Sequence, residues 1–236
     1  MRYMGGKHRL RKEIAKVLTS LRKRGQTYFE PFVGGGWVLQ EMTGKRIGSD
    51  GNDALVAMYQ GLQAGWIPPD HISEEEYRQI RDKHDRNDPL TAFCAFGCAF
   101  AGKWFGTYAR GGKNDFAAAA KRGVLKQLPL IADVEFRKGF YWDHKPKNML
   151  VYCDPPYQGT TGYDGVQGQD IFDHHRFWDT MQEWSKTNTV VISEARAPRD
   201  FVCIKEFSVS ILTGTRTTVD AADVPCEKLF QHKESL

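Results

Sequence analysis

The sequence predicts an α/β fold: a mostly parallel, doubly wound sheet flanked by helices and interrupted by a mainly helical insertion. Three observations predict it. A short strand signal, "TYFEPF" (27–32), runs directly into the glycines of "VGGGW". A second, "KRIGSD" (45–50), ends on an acid and gives way to a helical pattern. Strand signals then return at 134–141, 149–154 and 189–194, after a stretch that reads almost wholly as helix.

Each element has its own signal. Leu10, Ile14, Val17, Leu18 and Leu21 share one helical face over 7–24, with basic residues on the other and Gly25 as the stop. Strand 27–32 leads through the glycines to a helix expected from about 35 to 43. After strand 45–50, "NDALVAMYQGLQAG" (52–65) reads as a helix capped by Asn52 or Asp53. The prolines of "WIPPD" (66–70) break the chain. Helices are expected at 74–85, 88–101 and 117–128, around a glycine-rich loop, "GKWFGTYARGGKNDF" (102–116). Strands 134–141 and 149–154 precede a polar glycine-rich stretch (158–170), a helix near 173–186, strand 189–194 and a C-terminal hairpin over 201–219. The expected division is a catalytic part, 1–57 and 132–236, and an insertion, 58–131.

Composition narrows the function classes. The chain has 236 residues, 41% apolar and 26% charged, which suffices for an ordinary core. A net charge of +4 permits a polyanionic partner without demanding one. Cysteines 94, 98, 153, 203 and 226 form no C-x-x-C pair and no cluster with zinc spacing, so no metal is expected and a reduced, cytoplasmic setting is. The basic N-terminus lacks the apolar core of a signal peptide, and no run is long enough to span a membrane.

Five motifs carry candidate chemistry. Glycines directly after a strand, Gly34-Gly35-Gly36, let backbone approach a ligand closely, but Trp37 follows them and the dinucleotide spacing is absent. Asp50 ends the next strand, where an acid commonly binds ribose hydroxyls. Asp154-Pro155-Pro156-Tyr157 closes a third strand at the ligand edge of such sheets. The prolines stiffen the turn and leave carbonyl acceptors. A carboxylate beside rigid carbonyls suits a planar amino group, and Tyr157 offers a stacking face for the ring that bears it. At the N-terminus, "YMGGK" (3–7) places two glycines and Lys7 before the first helix, where a cation opposes the helix dipole and calls for another partner. In loop 102–116, Lys103, Arg110 and Lys113 are interleaved with Trp104, Phe105 and Tyr108, a pattern suited to phosphates and bases.

These pieces, in this order, resemble the DNA adenine-N6 methyltransferases of the Dam type, the D12 class. The family's aromatic-x-G-G-K falls on Tyr3–Lys7, its E-P-F-x-G-x-G on Glu30–Gly36, its strand-end acid on Asp50 and its D-P-P-Y on Asp154–Tyr157. The helical insertion matches by position. There are two departures. Trp37 stands where the family has a small residue, and "GFYWD" (139–143) replaces its usual acid-aromatic pair.

The resemblance implies a Rossmann-like methyltransferase fold with S-adenosylmethionine as donor and S-adenosylhomocysteine as product. It assigns Tyr3, Gly6, Lys7, Glu30, Pro31, Phe32, Gly34, Gly36, Asp50 and Asp154 to the cofactor site, with one of Tyr141, Trp142 and Asp143 against its adenine. It makes Asp154, Pro155, Pro156 and Tyr157 catalytic on the N6 of an adenine flipped from double-stranded DNA. Lys103, Trp104, Tyr108, Arg110 and Lys113 are the expected DNA contacts. A monomer or weak dimer in a bacterial cell or phage-infected host is expected. An RNA guanine-N2 enzyme, a cytosine-N4 enzyme and a silent DNA-binding protein on the same fold are the alternatives.

Overall fold

Tyr28 and Phe29, adjacent on one strand, enter two different cores. That alternation defines a sheet covered on both faces. The computed structural model describes residues 3–111, 115–157, 172–208 and 226–235. Its sheet has seven strands: β1 (Thr27–Glu30), β2 (Arg46–Asp50), β3 (Glu135–Lys138), β4 (Met149–Cys153), β5 (Thr189–Glu194), β6 (Phe201–Ser208) and β7 (Cys226–His232). They lie in the order β3-β2-β1-β4-β5-β7-β6. The first five are parallel, and β7 runs antiparallel between β5 and β6.

On one face, Val151, Cys153, Val190 and Ile192 meet Phe177, Met181 and Trp184 of helix α6 (His174–Ser185). On the other, Leu150, Tyr152 and Val191 meet helices α1 (Arg11–Leu21) and α2 (Asp53–Gln63). Helices α3 (Glu74–Lys83), α4 (Pro89–Gly97) and α5 (Phe116–Ile131) lie between β2 and β3 in sequence. Phe93, Phe96, Val124 and Ile131 of this segment share one core with Ile14, Leu18 and Leu55, and the expected boundary at residue 58 falls inside α2. Ser73 and Glu76 form a reciprocal capping box at α3, and Asp88 and Asp115 cap α4 and α5.

Four expectations change in detail. No α-helix occupies 35–43; a single 3₁₀ turn, Leu39–Glu41, stands there. Gly34 and Gly36 take left-handed φ of +46° and +65°, and Gly44 turns the chain again at +73°, which leaves room for one turn only. Helix α1 begins at Arg11, so Lys7 precedes it in a turn rather than starting it. Asn52 is the N-cap of α2 but makes no side-chain cap bond. The partner of β6 is β7, so the second strand of the pair lies beyond residue 219. The glycine-rich stretch 158–170 and Lys113 lie outside the described residues.

Candidate active site

The carboxyl ends of the parallel strands carry a row of acids. Asp50 ends β2, Glu30 ends β1, Asp154 follows β4 and Glu194 ends β5. β7 is antiparallel, so Glu227 near its start lies at the same edge, one position from Lys228, which pairs with Glu194. Five neighbouring strands thus present five carboxyl groups to one side. Such an edge repels a phosphate and suits a cationic ligand.

Burial raises the affinity of these acids for protons. Desolvation lifts Glu30 to about 8, against a hydrogen bond from the Tyr28 hydroxyl and with Asp154 adding repulsion. Desolvation lifts Asp50 to about 6, although the N–H groups of Asn52 and Gly34 donate to it. Asp154 also rises to about 6 through burial, with Lys7 opposing and Glu227 reinforcing the shift.

The glycine loop is held from all sides. Gly34 N–H donates to Asp50 Oδ2 at 3.0 Å, and Val33 N–H to the Ser49 carbonyl at 2.8 Å. The Tyr59 hydroxyl donates to the Gly34 carbonyl at 2.7 Å, and Gln127 Nε2 to the Gly35 carbonyl at 3.0 Å. Tyr3 lies against the loop so closely that a Cβ at Gly34 would come within 2.9 Å of its ring. Buried Arg46 donates to the carbonyls of Leu39 and Leu130 and pairs with Asp133, tying the 3₁₀ turn to the end of α5.

Lys7 reaches the centre of the edge. Its ammonium lies 2.7 Å from Asp154 Oδ1 and 3.5 Å from Glu227 Oε2, and 4.6 Å over the Tyr157 ring. The Tyr157 hydroxyl donates to Glu227 Oε1. Burial works against the ammonium, but the two carboxylates outweigh it and hold its pKa above the ordinary lysine value.

The structure sorts the remaining expected residues. Tyr141 is buried among Phe32, Phe172 and Phe177, and its hydroxyl has no hydrogen-bond partner among the described residues. Phe140, stacked on Trp142, fills the space over Gly51, directly after Asp50. Asp143 accepts the Phe140 N–H. Trp104, expected to face DNA, packs instead against Phe96, Phe105 and His84 in the insertion. Tyr108 donates its hydroxyl to the Ile72 carbonyl, Lys103 is half-buried, and exposed Arg110 forms a two-pronged pair with Glu74. Sequence reasoning missed Glu227, Glu194, Tyr59 and Gln127. Of these, only Glu194 carried a local signal, an acid at a strand end like Asp50.

A cleft of about 620 Å³ opens between the N-terminal segment and the insertion, lined by Tyr3, Arg9, Trp37, Gly97, Phe116 and Ala120 among others. None of the five acids lines it.

The residues at the acidic edge fit S-adenosylmethionine. The donor is cationic, the edge carries carboxyl groups, and Asn52 Oδ1, a buried acceptor without a partner among the described residues, lies two residues past Asp50. The sheet order is that of the expected Rossmann-like α/β fold. Residues 3–90 match the family described as D12 class N6 adenine-specific DNA methyltransferase. This bears out the resemblance carried by the motifs within that span. The matched span includes Tyr3–Lys7, Glu30–Gly36 and Asp50 and ends before Asp154. No curated protein matches the chain in sequence. Among solved structures, the rRNA methyltransferase aviRa from Streptomyces viridochromogenes is similar at 14% identity and TM-score 0.42, over 94% of this chain and 84% of that one. SMU.472, solved with SAH, is similar at 14% identity and TM-score 0.38, over 96% of this chain and 53% of its own.

Proposed function

We propose that the enzyme transfers a methyl group from S-adenosylmethionine to N6 of an adenine flipped out of duplex DNA. The observation that carries this reading is the acidic strand edge centred on Asp154, followed directly by Pro155, Pro156 and Tyr157. An amino group that becomes a nucleophile needs an acceptor for each N–H, and the Asp154 carboxylate and the Pro155 carbonyl would supply them. Accepting both N–H bonds favours a pyramidal nitrogen and stabilises the positive charge that develops on it. Burial raises Asp154 to about 6, and Lys7 beside it holds the shift in check. Tyr157 holds the ring by stacking.

S-adenosylmethionine, when bound, supplies the methyl group. Tyr3, Gly6, Lys7, Glu30, Pro31, Phe32, Gly34, Gly36 and Asp50 would hold it, with Asp50 on the ribose and Phe140 beside the adenine in preference to buried Tyr141. Helices α3–α5 and their loop would face DNA through Lys103, Arg110 and Lys113, with Trp104 as their internal support. The reaction would run in the cytoplasm, on a monomer or weak dimer. No helix among the described residues is long and apolar enough to cross a membrane.

The test uses isotope-labelled S-adenosylmethionine with unmethylated duplex DNA, and rRNA as competitor, followed by nucleoside mass spectrometry. N6-methyladenine in DNA is the expected product; label confined to rRNA, or absent, overturns the reading. Asp154→Ala should still bind DNA and lose about 10²–10³ in turnover. Near-normal turnover would remove Asp154 from its role.

A further inference from the structure

Lys7 stands where the substrate must go. Its ammonium takes Asp154 Oδ1 at 2.7 Å and one face of Tyr157 at 4.6 Å. Those are the acceptor and the stacking surface that the proposed reaction gives to the target base. The ammonium must leave both before the base can dock. The side chain is only 10% exposed, so a move that left it without a counter-charge would strand a buried cation.

Glu227 is already within reach. Its Oε2 lies 3.5 Å from the ammonium, while Oε1 accepts the Tyr157 hydroxyl. Its backbone is fixed by antiparallel pairing, Glu227 opposite Phe207 and the next residue opposite Glu194. Lys7, by contrast, sits on a turn outside α1, after Gly5 at φ +76°. A rigid carboxylate thus faces a cation on a long, adjustable stem.

We propose that Glu227 is a positioning residue that receives Lys7 when the target base takes Asp154, while its other oxygen keeps Tyr157 in its stacking position. This rests on the reading of Asp154 and Tyr157 given above. With Lys7 on Asp154, that carboxylate is neutralised. With Lys7 on Glu227, the Lys7–Glu227 pair is neutral and the Asp154 charge is free to face N6. No bond is made or broken in the exchange. The charged groups that bear on Asp154 are Lys7 from the N-terminal segment, Glu30 from β1, Glu194 from β5 and Glu227 from β7.

The experiment compares wild type, Glu227→Gln, Lys7→Met and the double variant as purified enzymes on duplex DNA. Glu227→Gln should melt near wild type and bind S-adenosylmethionine within about twofold, yet lose about 10- to 100-fold in kcat. The acidic limb of its kcat/KM profile should move to lower pH, because an anion beside Asp154 has gone. In the Lys7→Met background the same substitution should cost markedly less, since no ammonium then needs a second place. An unmoved acidic limb together with equal losses in both backgrounds would make Glu227 a structural residue only and overturn the proposal. Wild-type enzyme that methylates no adenine would overturn the functional reading first, and this inference with it.

Discussion

The Gly34 N–H donates to Asp50 Oδ2 across 3.0 Å, joining the loop after β1 to the acid that ends β2. The other oxygen of Asp50 accepts the Asn52 N–H at 2.9 Å. One carboxylate therefore fixes both the loop and the start of α2. Hydrogen bonds to a charged group contribute about 1.5–3 kcal/mol each. Asp50→Ala should weaken S-adenosylmethionine binding more than about tenfold, which is about 1.4 kcal/mol, by calorimetry. An unchanged Kd would detach Asp50 from the cofactor site.

Gly36 and Gly25 are both left-handed, at φ +65° and +82°, in opposite surroundings. A Cβ on Gly36 would lie 3.2 Å from Gln127 Nε2 and from the Tyr59 hydroxyl, whereas nothing lies within 4 Å of one on Gly25. Gly25→Ala should cost about 1–2 kcal/mol for its backbone conformation alone. Gly36→Ala should cost more, because Gln127 and Tyr59 must also yield. Urea denaturation midpoints compare the two, and equal shifts would refute the close-approach argument.

Stability without cofactor should respond to pH through the buried acids. Glu30 rises from 4.5 to about 8 on folding, and Asp50 and Asp154 from 3.8 to about 6. The folded state binds these protons more tightly, so their contribution is complete at low pH. It is lost as pH rises through the folded values. His8 and His144, both lowered chiefly by burial, act in the opposite sense. Glu30→Gln isolates the acid: between about pH 6 and 8, its denaturation midpoint should fall less steeply than that of wild type. Parallel slopes would count against a protonated Glu30.

Trp104 and Arg110 lie six positions apart and should fail differently. Trp104 is 7% exposed and packs on Phe96 at 5.1 Å between ring centres. Trp104→Ala should destabilise the fold by about 3–5 kcal/mol in chemical denaturation. Arg110 is 68% exposed in its pair with Glu74. Arg110→Ala should leave stability nearly unchanged, weaken DNA binding and reduce its salt dependence by about one unit of slope. Equal DNA affinity would remove Arg110 from the interface.

Much of the site was legible because it is written locally. Asp154-Pro155-Pro156-Tyr157 and the glycine loop are short segments whose chemistry depends on adjacent residues. Glu227 is 73 positions from Asp154 and meets it only because β7 turns back beside β5. Tyr59 and Gln127 hold the glycine carbonyls from two different helices, a relation no spacing encodes. The expected helix after the glycines failed because three left-handed glycines leave too short a span between them. Trp104 shows the limit of composition: an aromatic residue among lysines reads as a nucleic-acid surface whether its ring points outward or into a core.

The Met4 N–H donates to the Gly102 carbonyl at 3.1 Å, at the edge of the insertion loop. Three residues later the same chain delivers Lys7 to Asp154. Three residues reach at most about 10 Å when fully extended. The chain is thus a tether of fixed maximum length between the Gly102 carbonyl and the Asp154 carboxylate. Any displacement of the backbone at Gly102 beyond that slack must part the Met4–Gly102 bond or draw Lys7 off Asp154.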